Sequence, residues 1–220
     1  SVAPLVGSTF RNYIQGDYNG DGKADLIARY HYQDPVKMVF FHKDSKNMLL
    51  EKAANGFNHL TTSQYKSLSE GGSFYTKGST AAYPLTDLQI PLYAVSSVAE
   101  SNGNGTLYTT TFTYQSAKLH RGGRGFLGFE KTIASSSVLN HIKTTEYEVN
   151  TTFYTPMLKQ VTEAVLTTNA IKHITTITNG VVSLSNGRYW HRINNINTGA
   201  MTSTPNRNVT YTYDRNGKIT

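Results

Sequence analysis

Thr106-Leu107-Tyr108-Thr109-Thr110-Thr111-Phe112-Thr113-Tyr114-Gln115 is the stretch that decides the fold. Tyr108, Thr110, Phe112 and Tyr114 share one parity, and Leu107, Thr109, Thr111 and Thr113 share the other. Successive side chains of a strand point to opposite faces, so this is a strand with one tall aromatic face. Residues 144–153 repeat the pattern: Thr145, Tyr147, Val149, Thr151 and Phe153 oppose Thr144, Glu146, Glu148, Asn150 and Thr152. Strands of this kind form a sheet with one packed and one wet side.

Working outward, further strands are expected at 61–65, 92–98, 158–162, 172–178, 181–185 and 188–193. Asn179-Gly180 and Asn186-Gly187 fit two-residue hairpin turns. The only short helix candidate is 162–170, and its β-branched content argues against it. Toward the N-terminus, candidate strands at 10–14, 26–30 and 37–41 are separated by Gly, Asn and Asp turns. Short strands so punctuated suggest a propeller blade or a sandwich. The expected organisation is an N-terminal blade segment, 1–50, followed by an antiparallel β-strip, 51–220.

Composition agrees with an all-β chain. Of 220 residues only 16% are charged, while 15 are tyrosine, so polar surface must come from Ser, Thr, Asn and Gln. The net charge of +7 is thinly spread, and its densest group is Lys118, His120, Arg121 and Arg124. Without a clustered basic face, nucleic acid is not an expected partner. The absence of cysteine excludes disulfides, thiolate zinc sites and cysteine nucleophiles. No apolar run approaches the roughly 20 residues that span a bilayer. Ser1-Val2-Ala3-Pro4 has neither the charged nor the apolar region of a signal peptide, which fits a cytoplasmic protein or an excised piece of a longer one.

Asp17, Asn19, Asp21 and Asp25 follow the spacing D-x-N-x-D-G-x-x-D. Alternate residues on a curled loop aim oxygens at one point, a carbonyl near Lys23 adds another, and Gly22 permits the turn. Hard oxygen ligands suit Ca²⁺. The loop is not an EF-hand, because the twelfth position is Ala28 and the flanks read as strands. A solvated double turn accounts for the same residues without metal. A bound ion here would staple the loop rather than catalyse.

No catalytic constellation is legible, and an enzyme is not expected. The seven histidines form no metal-ligand spacing, and G-x-S-x-G and phosphate-binding glycine loops are absent. Arg121-Gly122-Gly123-Arg124-Gly125 mimics an RGG tract in a single copy. Trp190 with Tyr189, His191 and Arg192 could form a sugar-stacking platform, or a core aromatic on a strand.

Three resemblances add to this reading. The loop with Asp25-Leu26 resembles the FG-GAP/VCBS repeat, which implies a propeller blade with loop-bound calcium. Tyr75-Thr76-Lys77-Gly78, the run 82–98 and above all Gly123-Arg124-Gly125-Phe126-Leu127-Gly128-Phe129 resemble the B component of bacterial Tc toxins. The C-terminal stretch with Tyr211, Tyr213, Asp214 and Gly217 resembles a YD repeat of Rhs proteins. In the Gly123–Phe129 motif the glycines would allow close backbone approach, the aromatics would anchor a turn in a hydrophobic layer, and Arg124 would meet a carboxylate or strand carbonyls.

The resemblance implies part of a secreted or cell-surface toxin complex, in which a wound β-strip encloses a C-terminal toxin. Implied partners are other segments of the same Rhs shell, the toxin domain and a pore-forming A component. The self-cleaving aspartate motif and a toxin domain are not found in this sequence. An alternative is a calcium-stabilised adhesion or glycan-binding module, as in teneurin-like proteins.

Overall fold

The computed structural model describes residues 10–19, 23–30, 37–41, 49–57, 59–184, 188–199, 206–214 and 217–220. It is all-β, and its described strands form two sheets, antiparallel except where β6 joins β9. The first has the order β1 (Phe10–Gly16), β2 (Asp25–Tyr30), β3 (Lys37–Phe40). Among the described residues no helix is long and apolar enough to cross a membrane.

The second sheet is built from β4 (Lys52–Ala54), β5 (Leu60–Ser67), β6 (Tyr75–Thr76), β7 (Leu85–Asp87), β8 (Tyr93–Ser101) and β9 (Leu107–His120). It continues through β10 (Gly125–Ser136), β11 (His141–Val149), β12 (Pro156–Val165), β13 (Ile171–Ser183), β14 (Tyr189–Gly199) and β15 (Arg207–Thr210). From β8 to β15 every strand pairs antiparallel with the next in sequence. β5 pairs with β8, and β4 forms the far edge.

Register aligns side chains in rows. Thr113, Ile133, Thr144, Thr162 and Ile174 form one row, and Tyr114, Thr132, Thr145, Val161, Thr175 and Thr198 form its neighbour on the opposite face. A third row, Gln115, Lys131, Glu146, Gln160, Thr176, Asn197 and Asn208, crosses from β9 to β15 without an apolar residue. Lys131 and Glu146 pair within it at 3.1 Å.

Among the described residues the packed core of this sheet lies where the 68–92 segment folds onto β9. Ser67 caps a 3₁₀ turn, Leu68–Glu70: its Oγ accepts the Ser69 N–H and its own N–H donates to Glu70 Oε1 at 2.9 Å, so the donors at the start of the turn are satisfied. β6 then runs parallel to β9 and β7 antiparallel to it, beside the same strand. This buries Leu68, Phe74, Tyr75, Leu88 and Ala117, with Tyr114 and Phe129 packed against them. The Tyr114 and Phe129 rings lie 4.5 Å apart, and Phe74 meets Tyr114 edge-on at 5.6 Å. Beyond this pad, the buried apolar residues described in β11 to β15 are Met157, Ala164 and Ile177.

The structure differs from the sequence reading in three places. Asn179-Gly180 is no hairpin turn; it lies inside β13 at a register shift against β14. Long-range bonds hold it there: Asn179 Nδ2 donates to the Leu158 carbonyl at 2.8 Å, and its Oδ1 meets His191 Nε2 at 3.1 Å. The reversal falls instead between Leu184, whose N–H donates to the Arg188 carbonyl at 2.7 Å, and Arg188 itself; Asn186-Gly187 lies outside the described residues.

The strand expected at 144–153 runs from His141 to Val149. Asn150 ends it by accepting the N–H groups of Thr152 and Phe153 at 2.9 and 2.8 Å, and Tyr154 follows with φ of 52°. Finally, the Gly123–Phe129 motif is only half a turn, since Gly125 onward begins β10 with a register shift between Phe126 and Gly128.

Candidate functional site

The long β9 strand brings the chemistry-bearing residues together. Next to Ala117 in the core, Lys118 points its ammonium between two carboxylates: Asp87 on β7 at 2.5 Å and Glu130 on β10 at 3.3 Å. The side chains of Lys118 and Asp87 are 4% and 8% exposed, so this is a buried pair and not a surface contact. Asp87 Oδ2 also accepts the Ala81 N–H at 2.9 Å. Gly78 is required beside it, because a Cβ there would fall 2.3 Å from Asp87 Oδ1.

Burial favours the neutral form of each partner, but the attraction wins. Desolvation pushes the Lys118 ammonium down, and the bonds to Asp87 and Glu130 hold it above the ordinary lysine range. Desolvation likewise pushes the Asp87 carboxyl up, while the Lys118 ammonium and the Ala81 N–H hold it below the usual carboxylate range. Both groups therefore stay charged, and the pair ties the 68–92 pad to β9. Tyr75 adds a neutral tie: its hydroxyl donates to the Leu88 carbonyl at 2.5 Å and accepts the Ala117 N–H at 3.1 Å. Burial pushes this phenol above its ordinary range.

The Gly123–Phe129 motif sits at the end of β9, on the sheet's rim. Gly123, Gly125 and Gly128 have φ of 105°, 73° and 94°. Phe129 joins the core, whereas Phe126 is 45% exposed and Leu127 half-buried. Among the described residues Arg124 takes neither a carboxylate nor a strand carbonyl. It donates to the Tyr189 hydroxyl at 2.9 Å and lies 5.5 Å over the Tyr189 ring. Thr155 bonds the same hydroxyl at 2.8 Å, and Phe153 stacks on the ring at 4.2 Å. These bonds, Thr155 first and Arg124 after it, hold the Tyr189 phenol below its usual range. His120 stacks on Tyr154 at 4.4 Å. Three successive hairpin ends, 120–125, 149–156 and 183–189, are thus stitched along one rim. On the other rim Asn140 bonds Thr167 through both its amide nitrogen and its oxygen, at 3.1 and 3.0 Å.

The C-terminal motif forms a small hairpin. Asp214 Oδ1 accepts the Lys218 N–H at 2.8 Å, and Gly217 follows with φ of 83°. Tyr213 donates to the Ile193 carbonyl at 2.7 Å and meets Trp190 edge-on at 5.2 Å. Tyr211 is half-buried beside it, its N–H donating to the Asn194 carbonyl at 2.9 Å.

Of the acidic loop, Asp17, Asn19, Lys23 and Asp25 are described, and Asp21 lies outside the described residues. Asp25 opens β2 and is buried, with Oδ2 accepting the Tyr18 N–H at 2.9 Å; Asp17 and Asn19 are exposed. Its carboxylate and amide oxygens are the hard donors that suit Ca²⁺. Sequence reasoning singled out this loop and both motifs but missed the Lys118–Asp87 pair and Tyr75, whose partners lie 31 and 42 residues away. The available signal was a lysine between the apolar Ala117 and Leu119.

The family model for the insecticide toxin TcdB middle/N-terminal region matches residues 8–161. This chain belongs to that family. The match covers the first sheet, the pad, the buried pair, the Gly123–Phe129 motif and the strands through most of β12. No curated protein matches the chain. The TcdB-type region thus includes the stitched rim as far as Thr155, and Tyr189 fastens the following strands to it.

Proposed function

We propose that this TcdB-type chain is a non-catalytic wall segment of a secreted toxin complex, part of a β-shell that encloses and helps deliver a C-terminal toxin. The observation that carries this reading is the single-layer character of β10 to β15. A free-standing domain buries one sheet face against a second layer. Here the apolar burial is concentrated under the 68–92 pad, and a polar row crosses the remaining strands. Such a sheet suits a wall between two wet compartments. The Gly123–Phe129 turn and the Tyr213 hairpin then serve as fasteners, and the Rhs shell, the toxin domain and a pore-forming A component are the inferred partners.

The test uses the absence of cysteine from these 220 residues, with any cysteine elsewhere in the parent replaced by serine. His173 and Thr176 lie on opposite faces of β13, and both are exposed. Single variants His173→Cys and Thr176→Cys, placed in the full-length parent, should differ in labelling by a bulky maleimide. One should react and the other should be shielded until the shell is opened by denaturant. Equal labelling of the two in the intact complex refutes a wall.

We further infer that the loop with Asp17, Asn19, Asp21, Lys23 and Asp25 holds a structural calcium ion within a blade-like first sheet. The buried Asp25 carboxylate at the base of the loop supports this. Removing calcium with EDTA should lower the melting temperature, and restoring it should reverse the shift. An unchanged melting temperature in both conditions sinks the metal and leaves the wall reading untouched.

A further inference from the structure

Arg192 on β14 is a cation that the wall reading leaves without an anion. It is half-buried, and its guanidinium carbon lies 5.5 Å over the Tyr213 ring. Its Nε is buried and meets no hydrogen-bond acceptor, and no ion pair among the described residues includes it. A buried donor without an acceptor is costly, and a guanidinium fork matches a carboxylate best.

The space beside it has the shape and lining of a ligand site. A hollow of about 470 Å³ is lined by Trp190, Tyr211, Tyr213 and Ile219, with Arg192 as the cation among its described residues. This lies within the roughly 300–1,000 Å³ range of small-molecule sites. Among the described residues no carboxylate lines it. The nearby Asp214 is engaged by the Lys218 N–H of its own turn. The lining is therefore aromatic on its walls and cationic at its one unanswered group. Aromatic walls accept the C–H faces of a saturated ring, and the cation demands an anion on that ring.

We propose that this hollow binds a ring-shaped carboxylate of the uronic acid class, with Arg192 receiving the carboxylate and the Trp190–Tyr213 pair framing the ring. The site does not depend on the wall reading. Its ligand is a free sugar acid or the acidic unit of a glycan, which share this chemistry.

Trp190 is the sole tryptophan of the chain, so its fluorescence reports on this hollow alone. Glucuronate should change that fluorescence saturably, and glucose, the same ring without the carboxylate, should not at equal concentration. Arg192→Gln should weaken glucuronate by about tenfold or more, the worth of one charge-assisted hydrogen bond. Arg207→Gln, an exposed cation outside the hollow, should leave binding unchanged. If Arg192→Gln fails to fold, Arg192→Lys, which keeps charge but loses the planar fork, should still bind more weakly than the parent. A hyaluronan hexasaccharide that binds more tightly than free glucuronate identifies a glycan; equal or weaker binding identifies the free acid. No saturable response to glucuronate, an equal response to glucose, or unchanged affinity in both Arg192 variants overturns the proposal.

Discussion

Removing the Lys118 ammonium is the sharpest test of how the pad is held to the sheet. In Lys118→Met the side-chain volume is nearly kept, but Asp87, 8% exposed, loses its counter-charge. Breaking a buried pair from one side costs about 3–5 kcal/mol, because an uncompensated charge remains inside. The Ala81 N–H still bonds Asp87 and should keep the loss near the lower end. The double variant Lys118→Met with Asp87→Leu removes both charges and should recover most of the stability. It should stay about 1–3 kcal/mol below parent for the orphaned Ala81 N–H. Urea unfolding of the four proteins gives the coupling energy directly.

The pH dependence has a definite sign. The Asp87 carboxyl is held low, so its contribution is present above the unfolded value of about 3.9 and is lost as pH falls through the lower folded value. The Lys118 ammonium is held high, so its contribution is present below about 10.4 and is lost as pH rises through the higher folded value. The pair's contribution to the parent should therefore be flat between about pH 5 and 9, whereas the penalty of Lys118→Met should shrink as the pH falls and the unpaired, buried Asp87 takes up a proton. A penalty within about 0.5 kcal/mol of zero, or additive single variants, would refute the argument.

Other substitutions probe the remaining ties. Tyr75→Phe leaves the Leu88 carbonyl and the Ala117 N–H without their partner and should cost about 1–3 kcal/mol in denaturant unfolding. Arg124→Ala should change global stability by less than about 1 kcal/mol, yet speed hydrogen exchange at residues 152–155 and 188–190, because its tie to Tyr189 is local and exposed. Gly217→Ala forces a side chain onto φ of 83°, with its Cβ 3.0 Å from the Trp190 ring. It should cost about 1–3 kcal/mol and shift the Trp190 emission.

The strands were legible where alternation alone specifies them. Residues 107–115 and 144–149 behave as their parity implies, because aromatic and β-branched side chains fix which face is which. Local signals failed where distant partners outbid them. Asn179-Gly180 carries a strong hairpin signature, yet its amide is claimed by Leu158 and His191 on neighbouring strands. Residues 150–154 continue the alternation through Thr151 and Phe153, but the Asn150 side chain satisfies the backbone more cheaply as a turn. The Lys118–Asp87 pair was harder to read for a different reason. Neither residue has a neighbour in sequence that needs it, and only the folding of β7 onto β9 creates the need.

The fasteners along both margins of the sheet bear on how it finds its alignment. Sliding any strand of the β9–β14 stretch by two residues would preserve its face pattern, so alternation alone tolerates that error. It would, however, tear the Arg124–Tyr189–Thr155 knot at one margin or the Asn140–Thr167 clasp at the other. The margins therefore act as an alignment gauge: a ribbon with a uniform, threonine-rich middle locks only when its hems meet.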